Sequence, residues 1–218
     1  MKYYPVYLDL RGRRCVVVGG GEVAERKVRR LLDSGAEVFV TGKDLTEGLK
    51  DMKREGKLRH IEADYGETHI EGAFLVIGAT DSREVNEAVC RDAHKKGILV
   101  NIVDDPVRCD FLLPSLFERG DLQIAVSTGG KSPALARKLR QDMEGIFGPE
   151  YRILLDIMGE LRKKILSRGY PASENRKLFE SVVYSEVLQS IRNRDWRALK
   201  KRIHDLTGED IDDLERYE

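Results

Sequence analysis

The chain has 218 residues, enough for one large folded unit or two smaller ones, with 41% hydrophobic and 35% charged residues. Lys plus Arg and Asp plus Glu balance at 38 each, so bulk charge offers no case for a nucleic acid or an anionic membrane as partner. Cys15, Cys90 and Cys109 are odd in number, far apart and without a C-x-x-C pair, which argues against a disulfide framework or a thiolate zinc site and for a reducing cytoplasm.

The opening segment MKYYPVYLDLRGRR has no apolar stretch of signal-peptide length, and no run approaches the roughly 20 residues of a membrane span, so a soluble cytoplasmic protein is expected. From Arg14 to about Val103, short β-rich runs (CVVV, EVFV, LRHI, FLVIGAT, ILVNIV) alternate with helical periods. Ala24, Val28, Leu31 and Leu32 fall on one helical face, as do Leu45, Leu49 and Met52, and then Val85, Ala88 and Val89. Gly35 and Gly97 lie just past the first and third helices, where a left-handed cap favours glycine. Alternation of this kind predicts a parallel sheet with crossover helices.

Gly19, Gly21 and Ala24 spell G-x-G-x-x-A at the join of the first strand and first helix. In a Rossmann-like domain the first glycine makes the tight turn, the second admits a pyrophosphate close to the backbone, and the small third residue lets helix and strand pack. Dipole and free N–H groups at the helix start then favour phosphate. The second strand ends in Val40-Thr41-Gly42-Lys43-Asp44, so the acid that would mark NAD arrives late. Asp44 either reaches the ribose or caps a helix beginning near Leu45, and Lys43 could favour a 2′-phosphate. Thr80 and Asp81 follow the fourth strand at the edge where such sheets bind ligands, with Asp81 or Ser82 also fit to cap the next helix.

Residues 101–106, NIVDDP, put Asp104 and Asp105 at the end of the fifth strand. Neighbouring acids suppress each other's ionisation, so one of the pair could have a raised pKa and act as general base; Asp104 is the better candidate, because Asp105-Pro106 also reads as a turn. Two strands around Glu-Arg-Gly-Asp come next, then a helix capped by Ser132 with Pro133 at its first position. From Pro149 the pattern is helical: Tyr151, Leu154, Leu155, Met158, Leu161 and Ile165 form one stripe, and Leu178, Val182, Val183 and Leu188 another. Residues 149–204 carry an excess of basic side chains and 205–218 an excess of acidic ones. No His spacing suggests a metal site.

GGGEVAERK (19–27), GATDSREVN (78–86), NIVDDP (101–106) and FLLPSLFERGDLQIAVSTGGKSPALAR (111–137), taken in order, resemble the precorrin-2 dehydrogenase and sirohydrochlorin ferrochelatase family, the module at the N-terminus of siroheme synthases. The resemblance implies NAD-dependent oxidation of precorrin-2 to sirohydrochlorin by a homodimer, with ferrous iron inserted by some members. It assigns the family's key aspartate to Asp104 and its dinucleotide contacts to Gly19, Gly21, Glu22 and Val23, with Lys43 and Asp44 less surely placed. Thr128 stands where some members have serine and keeps a hydroxyl for the substrate; Gly129, Gly130, Lys131 and Ser132 make an anion site for a many-carboxylate tetrapyrrole. Expected domains are 1–110 (NAD-binding), 111–147 (hairpin plus helix for dimerisation) and 148–218 (helical). A methyltransferase domain is not expected. The rival readings are a non-enzymatic NAD(H)-binding redox sensor, for which no clear helix-turn-helix is visible, and an unrelated small-molecule dehydrogenase.

Overall fold

Runs of Val, Ile and Leu buried on both faces are what a parallel sheet covered by helices requires. The computed structural model describes residues 3–217. Its first unit, Met1–Leu113, holds strands β1 (Arg14–Val18), β2 (Glu37–Thr41), β3 (Leu58–Ile61), β4 (Leu75–Gly78) and β5 (Leu99–Ile102), parallel throughout in the order β3-β2-β1-β4-β5. Helices α1 (Glu22–Asp33), α2 (Glu47–Arg54) and α3 (Arg83–Lys96) provide crossovers. Cys15, Val17, Val38, Val40 and Ile77 pack with Ala24, Val28 and Leu49 in one cluster; the alternate positions Val16, Val18, Val76, Val100 and Ile102 pack with Val89 and Ala93 in another.

Register decides where the loops end up. Val18 pairs with Thr41 and Gly78, Gly78 with Ile102, and Thr41 with Ile61, so the strand ends are level. The segments after them, carrying Gly19–Gly21, Gly42–Asp44, Ala79–Asp81 and Val103–Asp105, therefore leave from one edge. Strand order reverses between β1 and β4, the crevice where open α/β sheets bind ligands.

The second unit, Pro114–Glu218, begins with an antiparallel hairpin of β6 (Ser115–Arg119) and β7 (Leu122–Val126). There follow α4 (Pro133–Ile146), α5 (Glu150–Ser167), α6 (Ala172–Val183), α7 (Val187–Arg192) and α8 (Trp196–Thr207). Ile157, Leu161, Ile165, Val182, Ile191 and Leu199 are central to the helical core. Each fully buried aliphatic side chain contributes about 1.5–3 kcal/mol.

The sequence reading needs three amendments. Leu45 precedes α2 instead of belonging to it. Leu155 is exposed, while Leu154, Met158, Leu161 and Ile165 lie in the helical core as expected and Ile157 joins them. The second stripe spans two helices, because the chain breaks after Val183 and restarts at Val187 with Leu188 in α7. Among the described residues no helix is long and apolar enough to cross a membrane.

Candidate active site

The glycine loop after β1 is shaped by close backbone contact. Gly19 has φ +119, and a Cβ there would lie 2.3 Å from the Ala79 carbonyl oxygen. A Cβ on Gly20 would lie 1.9 Å from the Asp44 carbonyl oxygen. The loop is pinned by the Gly19 N–H donating to Thr41 O (2.8 Å) and the Thr46 N–H to Gly20 O (2.9 Å). At Gly21 the surroundings change: nothing lies within 4 Å of where its Cβ would be, and as N-cap of α1 it offers no side chain to the first-turn N–H groups. Ala24 is fully buried, Val23 half-buried and Glu22 exposed. An uncapped helix start facing open space suits a dinucleotide's pyrophosphate, since an outside anion would satisfy donors the chain leaves free.

Beside it, the turn after β2 removes one of the two roles that the sequence left open for Asp44. Thr46, not Asp44, caps α2: its Oγ1 accepts from the Leu49 N–H at 3.3 Å. Thr46 also donates to Glu25 of α1, and that bond with the Arg29 contact holds the Glu25 carboxyl below its usual range. Asp44 is exposed and freed from capping. Lys43 pairs with Asp64 at 2.7 Å, which raises the lysine pKa and occupies the cation that could have met a 2′-phosphate. His60 sets the turn from the neighbouring strand. Its Nδ1 faces Lys53 Nζ at 3.0 Å, and since an ammonium only donates, the ring proton sits on Nε2 and goes to Gly42 O at 2.7 Å.

Thr80 and Asp81 sit at the end of β4 as expected, but Ser82 is the cap of α3, accepting from the Val85 N–H at 3.3 Å. Asp81 is exposed. Asn86 grips the turn: Nδ2 donates to Thr80 O at 2.9 Å, and Oδ1 lies 2.9 Å from the Thr80 hydroxyl. This asparagine ends the GATDSREVN segment, where the sequence alone assigns it no role.

The two adjacent acids have separate fates. Asp105 bonds Arg108, whose guanidinium also takes Glu87 at 2.7 Å, and this contact holds the Asp105 carboxyl below its usual range. A raised pKa was the expectation for one member of the pair; in Asp105 the neighbouring cation outweighs acid–acid repulsion. Asp104 is exposed, with φ +60 in the left-handed region, which costs a non-glycine residue about 1–2 kcal/mol and which Asp and Asn tolerate best. Two groups missed by sequence reasoning hold this loop. Asn101, buried, donates to Phe111 O at 2.9 Å; the Cys109 thiol accepts the Ile102 N–H at 3.2 Å and lies 3.1 Å from Asp105 O, with burial raising its pKa. Cys15 is pushed up to about 11 by burial. Its thiolate is scarce at neutral pH.

In the second unit, the loop between β7 and α4 closes on itself. The Thr128 hydroxyl donates to Ser132 O (3.0 Å) and accepts from the Ser132 N–H (3.1 Å), so the oxygen assigned to the substrate is already engaged. Ser132 caps α4 through the Leu135 N–H at 3.2 Å, with Pro133 next as expected. Gly129 and Gly130 have φ +62 and +82, and nothing lies within 4 Å of a Cβ built on Gly129. Lys131 is exposed. Among the described residues no group of three or more His, Cys, Asp or Glu is disposed to hold a metal ion.

Comparison with known proteins fits this geometry. The NAD(P)-binding family model matches residues 6–115, and the sirohaem biosynthesis protein central model matches residues 119–145. A siroheme synthase of Mannheimia succiniciproducens is 37% identical over 93% of the chain and 43% of its own length. One from Nitrosococcus oceani is 40% identical over 88% of the chain and 41% of its own length. The chain thus spans less than half the length of these curated relatives. A solved structure, SirC, a precorrin-2 dehydrogenase, superposes with a TM-score of 0.79 at 27% identity over 93% of this chain and 100% of that one. Sequence motifs, sheet topology and these matches agree, and the chain belongs to the NAD(P)-binding family that includes the precorrin-2 dehydrogenase module of siroheme synthases.

Proposed function

We propose that the chain oxidises precorrin-2 to sirohydrochlorin with NAD, the oxidative step in making siroheme. The observation that carries this reading is the near end-to-end likeness to a precorrin-2 dehydrogenase, with the open helix start at Gly21 and the exposed Asp104 on one sheet edge. Oxidation removes a hydride and a proton from the tetrapyrrole. When bound, NAD supplies the hydride acceptor.

The chain's residues do the rest. Gly19 makes the turn, its own N–H held by Thr41 O, and Gly20 and Gly21 bring backbone N–H groups up to the pyrophosphate, with Glu22 and Val23 beside them. Asp44, relieved of capping, takes ribose hydroxyls, and engagement of Lys43 by Asp64 favours NAD over its 2′-phosphorylated form. Thr80 and Asp81 border the same crevice. Asp104 accepts the proton, while Asp105, tied to Arg108, keeps the turn in shape. Gly130 and Lys131 offer a donor and a charge to substrate carboxylates, while Gly129, whose N–H donates to Ser127 Oγ, turns the loop that Thr128 and Ser132 fix.

Ferrous iron is proposed as a second substrate, because an exposed carboxylate at Asp104 can also take the pyrrole protons that insertion releases. Residues 111–147 are proposed as the dimerisation segment between a domain of residues 1–110 and a helical one of residues 148–218. The exposed Leu135, Leu139 and Ile146 of α4 support a homodimer, which analytical ultracentrifugation tests. Three free thiols fit a cytoplasmic setting.

Purified protein, NAD and enzymatically made precorrin-2, followed by absorbance with and without ferrous or cobaltous ion, test the reading. Sirohydrochlorin is expected only with NAD, and metal uptake only after it forms. Asp104→Asn keeps a residue suited to the left-handed backbone and is expected to lower kcat by about 100-fold or more. Full activity in that variant removes the assignment of Asp104, and lack of NAD binding in calorimetry removes the whole reading.

A further inference from the structure

β5 ends the sheet, with β4 on one side only. The Val103 N–H donates to Gly78 O of the segment closing β4 at 2.9 Å, so by alternation along the strand the backbone groups of Val100 and Ile102 face away from β4. Two consecutive residues of the returning chain take up those groups. Asp110 donates its N–H to Val100 O at 2.9 Å and accepts the Val100 N–H on its carboxylate at 3.0 Å. Cys109 serves Ile102 with a single atom: its sulfur accepts the Ile102 N–H at 3.2 Å, and its own hydrogen has Ile102 O at 3.3 Å and Asp105 O at 3.1 Å within reach. Asn101 Nδ2 donates to the same sulfur at 3.5 Å. Those two carbonyls belong to the ends of the turn of residues 102–105, which the Asp105 N–H closes by donating to Ile102 O at 3.2 Å. Asp104 is the third residue of that turn, with φ +60. A non-glycine residue persists in the left-handed region only where its surroundings over-determine the backbone.

From this arrangement we propose that Cys109 is a positioning residue for the oxidation of precorrin-2, its thiol joining both ends of the turn and so holding Asp104 in place to meet the substrate. The proposal rests on the dehydrogenase reading for its purpose but not for its whole test. Geometry explains the residue type. One side-chain atom must accept an N–H and donate a hydrogen across the turn, which a thiol or a hydroxyl can do, and the longer bond from Cβ to sulfur extends the reach. The rest of the residue packs on the cluster of Val89, Cys90 and Ile102, as a small apolar side chain would. Burial raises the thiol's pKa, which keeps on the sulfur the hydrogen that the bond needs.

Two replacements, read against the native chain in oxidation of precorrin-2 and in NAD calorimetry, test this. Cys109→Val fills similar space without hydrogen bonds and is expected to lower kcat about tenfold, with the KM for precorrin-2 and the NAD affinity unchanged. Cys109→Ser, which can accept and donate at shorter reach, is expected to recover most of that loss. A Cys109→Val chain as active as the native one, or a loss carried by KM instead of kcat, overturns the proposal. Amide hydrogen exchange followed by NMR needs no turnover: the Ile102 N–H is expected to exchange slowly in the native chain and about tenfold faster in Cys109→Val. A freely exchanging Ile102 amide in the native chain also overturns the proposal, whether or not either variant folds. If the native chain does not oxidise precorrin-2, the dehydrogenase reading fails, and the Ile102 amide still decides whether the sulfur holds the turn.

Discussion

Two glycine-rich loops open onto helices in this molecule, and they solve the helix-start problem in opposite ways. After β1, Gly19 and Gly20 are glycine because carbonyl oxygens of Ala79 and Asp44 occupy the space a Cβ would need, and α1 is left without a side-chain cap. Before α4, Gly129 has open space around it, Ser132 caps the helix and Thr128 ties the loop shut. A G-G pair thus means close packing and free donors in one place, and backbone turning with donors largely satisfied in the other. The first loop leaves the start of α1 without a side-chain cap, which is what an anion site requires. The second is built first to hold its own shape and offers Lys131 and the glycine backbone as its accessible face.

Gly20→Ala should break that distinction most severely. Its methyl group meets backbone that cannot rotate away, so calorimetry should show NAD binding lost and thermal unfolding a destabilisation of about 1–3 kcal/mol or more. Gly129→Ala, with only its left-handed backbone to oppose it, should cost about 1 kcal/mol and leave NAD affinity intact. Gly21→Asp sharpens the comparison by giving α1 the cap it lacks. Stability should rise by about 0.5–1 kcal/mol while NAD affinity falls about tenfold, as the new carboxylate takes the donors and repels the phosphates. A fall in both quantities would refute the view of Gly21 as an uncapped receiving site.

Ser132→Ala tests the self-closed loop by removing a cap that α4 uses, with an expected loss of about 1 kcal/mol in chemical denaturation and no change in NAD affinity. The smallest effect concerns pH. Asp105 has its folded-state pKa below the ordinary 3.8, so its bond to Arg108 contributes stability that is complete above that value and is lost as pH falls through the folded-state pKa. Arg108→Leu should flatten this part of the acid-unfolding curve. An unchanged curve would mean that the pair contributes nothing measurable, as many exposed ion pairs do.

Much of the site was legible because its signals are local. The spacing of Gly19, Gly21 and Ala24 directly after a β-branched strand gives the loop; Ser132 before Pro133 gives a cap and a start; NIVDDP puts an acid at a strand end. What stayed hidden depends on partners far away in sequence. Asp44 could have been a ribose contact or a cap; Thr46 takes the cap, with Glu25 of another helix accepting from its hydroxyl. Asp104 was preferred over Asp105 only because Asp105-Pro106 reads as a turn; that Arg108 binds Asp105 shows only in the fold. Asn86, Asn101 and Cys109, which fix the turns after β4 and β5, gave no signal because their partners are backbone groups that only the folded loops bring near.

The sequence by itself determined the parallel sheet, the crossover helices and the chemistry of the first loop, since periodicity, turn residues and steric demands on glycine act over a few positions. Tertiary structure decided which acid is tied to an arginine and which cation is occupied, since charges and hydrogen bonds act across space between strand ends that register alone makes level.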